Sequence, residues 1–136
     1  MQWLIDVIAA KVIADIGTVL GFVDRGDPAA QDFGPGSFTA DGTWRELDLS
    51  TIVPAAATAV AVSLDVECDT AGRTLMFRKA GNSNAYNIAI AHTVGAYDKV
   101  AADLVIPISS ARKIEYNINA GSYNVLNFTV KGWFTP

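Results

Sequence analysis

The sequence predicts a mainly β protein, an antiparallel β-sandwich or jelly roll of about seven to eight strands preceded by one N-terminal α-helix, and three observations predict it. From Thr43 onward apolar residues recur at every second position. Turn-forming clusters interrupt that pattern at short intervals, and no 3.6-residue periodicity returns after residue 42. An antiparallel sheet with one wet face must bury the other, so such a series closes against a second sheet. With 136 residues, 51% of them hydrophobic and 18% charged, the chain has the apolar material for one domain with a sizeable core.

The first strand covers Trp44 to Leu49, with Leu47 and Leu49 set among Arg45, Glu46 and Asp48. The next is the cleanest: Val60, Val62, Leu64, Val66 and Cys68 share one face, and Ala59, Ala61, Ser63, Asp65 and Glu67 the other. Asp69-Thr70-Ala71-Gly72 turns the chain into a strand with Leu75 and Phe77 on one side, and Ala80-Gly81-Asn82-Ser83-Asn84 turns it again. Tyr86, Ile88 and Ile90 define the next face, opposite Ala85, Asn87, Ala89 and Ala91. Leu104, Ile106 and Ile108 follow, with Pro107 marking an edge or a bulge. Ile114, Tyr116 and Ile118 make another strand, and Leu126, Phe128 and Val130 close the series before Gly132-Trp133-Phe134.

Ahead of this body, residues 1–21 read as an amphipathic helix for oligomerisation or anchoring. Ile5, Ala9, Val12, Ile16 and Val19 are spaced 4, 3, 4 and 3, the alternation of a coiled-coil seam, and Trp3 joins them as a candidate interface anchor. Asp6, Lys11 and Asp15 fall off the seam. A secretory signal would begin with positive charge, and charges at these depths would each cost about 2.5–3.5 kcal/mol in a spanning helix, so neither a signal peptide nor a membrane span is expected. Two and a half heptads make a marginal helix unless its apolar side is covered, by copies of itself, by its own domain or by a membrane surface.

Residues 22–42 read as a loop-rich connector and 43–136 as the sandwich domain. The connector carries turn dipeptides at Asp27-Pro28 and Asp41-Gly42, and its Phe22, Phe33 and Phe38 suggest a segment laid along a surface. It also contains Arg25-Gly26-Asp27, a tripeptide read by adhesion receptors, which reads more simply as the approach to a turn.

Ten Lys and Arg against 14 Asp and Glu, a net charge of −4, give no electrostatic footprint for nucleic acid. One cysteine and one histidine exclude an internal disulfide and a Cys/His zinc site. Ser63, Asp65, Glu67 and Asp69 could approach a calcium ion, but alternating acids on a wet strand face are the ordinary means of keeping a sheet soluble. His92 has no nucleophile motif around it, and Cys68 continues an apolar face. Arg73, Arg78, Lys79, Arg112 and Lys113 flank turns and read as solvated charge or a local basic rim. No catalytic residue, metal ligand or cofactor is expected. Asn82, Asn84, Tyr86 and Asn87, with Ser83 between, carry the amide and aromatic groups that bind sugars, although asparagines also suit turns and tyrosines suit half-exposed strands; Tyr97, Tyr116 and Tyr123 add further rings.

The runs Trp44-Arg45-Glu46-Leu47-Asp48-Leu49-Ser50-Thr51-Ile52-Val53-Pro54, Phe77-Arg78-Lys79-Ala80-Gly81-Asn82-Ser83-Asn84-Ala85-Tyr86-Asn87 and Arg112-Lys113-Ile114-Glu115-Tyr116, with Val130-Lys131-Gly132-Trp133, resemble a β-sandwich module of tailed-bacteriophage virion proteins over about residues 43 to 134. The resemblance implies a non-enzymatic virion component, either capsid decoration or part of a tail or fibre. It implies a homo-oligomer, a trimer, partnered by a major capsid or tail protein and assembled in the host cytoplasm. The alternative is a lectin-like module that displays its Asn- and Tyr-rich loops to a host-surface glycan.

Overall fold

The computed structural model describes residues 2–6 and 21–136. Residues 2–6 are helical; Ala9, Val12, Ile16 and Val19 of the expected seam lie outside the described residues. The body comprises eight strands: β1 (Phe22–Asp24), β2 (Arg45–Asp48), β3 (Ala59–Cys68), β4 (Thr74–Lys79), β5 (Ala89–His92), β6 (Val100–Pro107), β7 (Lys113–Ile118) and β8 (Tyr123–Phe134). They form two four-stranded antiparallel sheets, ordered β1-β8-β3-β6 and β2-β7-β4-β5. The pairings β1 with β8, β2 with β7, β3 with β6 and β4 with β5 nest one inside another, as in a long hairpin rolled on itself. This is the jelly-roll form of the sandwich that the alternating pattern predicts.

Period 2 in the sequence becomes inside and outside in space. Val60, Val62, Leu64, Val66 and Cys68 of β3 are buried, and the first four meet Leu75 and Phe77 of β4, Ile114 and Ile118 of β7, and Leu126, Phe128 and Val130 of β8. Each such side chain contributes about 1.5–3 kcal/mol of transfer free energy. Phe77 and Phe128, from opposite sheets, lie 5.7 Å apart at the centre.

Two elements differ from expectation. The strand expected from Tyr86 to Ile90 begins at Ala89, and its inward residues are Ala89 and Ala91 rather than Tyr86, Ile88 and Ile90. The register Thr74↔His92 and Phe77↔Ala89 requires this: Leu75 and Phe77 face inward, so their partners Ala91 and Ala89 do too, and Ile90 turns outward. Alternation alone cannot tell one face from the other when both carry apolar residues, and a slip of one residue inverts every side chain.

The second difference lies in the stretch 22–42: the expected loop-rich connector laid along a surface carries a strand of its own. Phe22 to Asp24 pair with Gly132 to Phe134, and Phe33 bridges to Phe128. Phe38 is buried, edge-on to Tyr116 at 5.0 Å. The Arg25 guanidinium binds the Asp32 carboxylate in bidentate fashion, Nη2 to Oδ1 at 2.7 Å, while Arg25 Nη1 donates to Val130 O and Val130 N donates to Asp32 Oδ2. This clip satisfies backbone that would otherwise be a bare strand edge, and it commits the arginine of Arg25-Gly26-Asp27 to an internal contact.

Candidate functional site

The chain between β4 and β5 leaves the sheet to form a loop. Gly81 opens it with φ of +94°, a left-handed conformation that any side chain would strain, and Asn82 N donates to Lys79 O at 3.1 Å. The loop is then tied down from below by Arg78, the outward-facing residue near the end of β4. Its Nη1 donates to Asn84 O at 3.3 Å, and its Nη2 lies 3.4 Å from the Glu115 carboxylate. The guanidinium carbon stands 3.9 Å over the Trp44 ring. At 6% exposure Arg78 is buried, and its Nε has no hydrogen-bond partner among the described residues. Stacking on Trp44 and the pairing with Glu115 together offset its desolvation.

The result is a surface hollow of about 430 Å³ lined by Gly81, Asn82, Ser83, Asn84, Tyr86 and Asn87. That size lies in the range of small-ligand sites. Tyr86 is 98% exposed beside it. No lining side chain is charged at neutral pH. Each asparagine amide offers both donors and an acceptor, Ser83 a hydroxyl, and Tyr86 an apolar ring face with a polar tip. Such a surface can exchange hydrogen bonds with a ligand rich in hydroxyl groups and stack one apolar face of it. It contains no carboxylate or imidazole for proton transfer at neutral pH.

Asn82, Asn84, Tyr86 and Asn87 are thus brought together on one loop. The other residues singled out by sequence stand apart from it. Trp3 and Ile5 are 76% and 52% exposed. Asp65 and Glu67 lie on the outer face of β3, where Glu67 accepts a hydrogen bond from Asn124. Among the described residues no group of three or more His, Cys, Asp or Glu could hold a metal ion. His92 is exposed on β5, its Nδ1 3.3 Å from Thr74 Oγ1. Cys68 is buried, its Sγ so close to Gly121 that a Cβ there would stand 2.7 Å away. Asp69 beside it sits below the usual carboxylate range, chiefly because Ser122 N–H donates to it. The Tyr123 hydroxyl donates to Asn119 O at 2.8 Å, and burial pushes its pKa up to about 12.

The five basic residues do not form one solvated rim. Arg78 is buried beneath the β4–β5 loop, and Arg112 Nη1 donates to Ser50 O and Val53 O, tying the loop after β2. The part played by Arg78 and Trp44 was not legible in the sequence, because their meeting depends on the β2–β7–β4 order. The one signal available was a large aromatic and an arginine both on outward positions beside turns.

No protein-family model and no curated protein matches the chain. Among solved structures, the carbohydrate-binding module CBM6cm-2 of Cellvibrio mixtus lichenase 5A, in complex with cellotriose, is similar with a TM-score of 0.43 and 15% sequence identity, covering 85% of this chain and 97% of that chain. No helix among the described residues is long and apolar enough to cross a membrane.

Proposed function

We propose that the protein is a non-catalytic binding module that takes an uncharged glycan on the Gly81–Asn87 loop. The observation that carries this reading is the gathering of three asparagine amides, a serine hydroxyl and a freely exposed tyrosine ring around one hollow without a charged group. Sugars present hydroxyl pairs at their rims and C–H faces on their rings, and amides and an aromatic plane complement both. An open site of this size supports modest affinity, Kd on the order of 0.01–1 mM, or about −4 to −7 kcal/mol. On an array of neutral and acidic glycans the protein is expected to bind a subset of the neutral ones saturably. Tyr86→Ala should lose at least about tenfold in affinity while changing stability by less than about 0.5 kcal/mol, since the ring packs on nothing. A blank array, or binding that survives Tyr86→Ala unchanged, would remove the proposal.

A second reading is assembly. Trp3, Leu4 and Ile5 leave apolar side chains 76%, 47% and 52% exposed, which suits burial against further copies or another protein. The trimer, the virion setting and the capsid or tail partner that the phage resemblance implies belong with this reading.

A further inference from the structure

The edges of the two sheets are not protected alike. The edge of β8 is covered over residues 128–134 by Phe33, the Arg25–Asp32 clip and β1, and β2 and β5 are edge strands of only four residues. β6 is different: it is an edge strand eight residues long. Ile108 N donates to Thr58 O, and the register runs from Ala59↔Pro107 to Val66↔Val100. By antiparallel alternation Val100, Ala102, Leu104 and Ile106 direct their backbone groups to β3, so those of Ala101, Asp103 and Val105 point away from the sheet. Among the described residues nothing bonds to them. The side chains of Ala101, Asp103 and Val105 are exposed as well, Val105 by 57%. A long, open, largely apolar edge is a template for another strand.

We propose that β6 pairs antiparallel with β6 of a second copy about a two-fold axis, joining the two sheets into one. Charge constrains the register. An axis at Asp103 would set that carboxylate opposite its own copy, which is destabilising. An axis at Ala102 sets Asp103 opposite Ala101 of the second copy and Val105 opposite Lys99. The exposed Lys99 then lies diagonal to Asp103 on one side, at about 7–8 Å between backbones and within reach of a lysine, and offsets the second copy's Asp103, which is diagonal on the other side. Asp103 already receives Lys131 Nζ on Oδ1 at 2.9 Å, which leaves Oδ2 for the second copy's Lys99. Pairing of this kind is isologous and closes at two copies, so an edge that invites polymerisation ends in a dimer.

The test is sedimentation velocity of the full chain over a micromolar concentration series, with circular dichroism to confirm strand content. The wild type is expected to form a dimer. Val105→Pro removes an outward N–H and no internal ladder bond, and should give a monomer. Lys99→Asp and Asp103→Lys should each weaken association about tenfold, and the double variant should restore it. If Val105→Pro fails to fold, the charge exchange decides alone. A monomer at every concentration overturns the proposal, as does a double variant no stronger than the single ones. So does an oligomer that ignores all four variants and dissolves with Trp3→Ser and Ile5→Ser, which would move association to the N-terminal segment.

Discussion

Arg25 and Asp32 show how a single ion pair can stand in for a missing strand. Their side chains supply one donor and one acceptor to Val130, a residue of β8 that lies past the reach of β1. Asp32→Ala would leave the Val130 N–H and a largely buried guanidinium without that partner. Charge-assisted hydrogen bonds of this kind are worth about 1.5–3 kcal/mol, so urea denaturation should show a loss in that range. A loss below about 0.5 kcal/mol would mean that water replaces the clip without cost. Ionisation adds a pH dependence with two limbs. Asp41, Asp48 and Asp69 have lowered pKa values, held down first by hydrogen bonds from Arg45, Ser50 and Ser122 respectively. Their contribution is present above the unfolded carboxylate pKa and disappears as pH falls through the folded values. Tyr123 is raised from 10 to about 12 by burial, so its contribution is complete below pH 10 and is lost as pH climbs toward 12. A Tyr123→Phe variant should therefore show a flatter stability profile between pH 10 and 12 than the wild type. Parallel profiles would place the phenol in an ordinary environment.

At the scale of elements, the alternation of β3 was readable because its outward side carries Ser63, Asp65 and Glu67 while its inward side is wholly apolar. In β5 both sides are apolar, so the sequence showed a strand without showing which face is buried. The partner strand decides that, through Leu75↔Ala91 and Phe77↔Ala89. β1 was illegible for another reason. Three residues carry no period, and what fixes Phe22 to Asp24 is Gly132, over which β1 lies so closely that a Cβ would stand 2.4 Å from Val23 O and 2.5 Å from the Phe22 ring. Gly132→Ala is accordingly expected to lift β1 from β8. Hydrogen exchange at residues 132–134 should rise by at least about tenfold while the centre of β3 stays protected. Unchanged exchange would show that the backbone shifts to admit the methyl group. The loop after β4 lies between these cases. Its asparagines and glycine announced a turn and, with Tyr86, a set of ligand-facing groups, whereas the Arg78–Trp44–Glu115 support beneath it needed three strands in place.

Over the whole molecule, the rolled hairpin separates its tasks. The central strands β3, β4, β7 and β8 hold the core; the β4–β5 loop gathers uncharged polar groups at one place; and β6 leaves an edge open at another. Because the loop rests on the outer side of Arg78 and not on the core, its side chains can be altered with little effect on stability. That independence makes the binding claim open to one direct measurement: a two-dimensional amide NMR titration of the full chain with a panel of neutral oligosaccharides. The account predicts saturable shifts concentrated at residues 81–88, fading along β4 toward Arg78 and absent in Tyr86→Ala. Shifts centred on any other surface, or none at millimolar sugar, would contradict it.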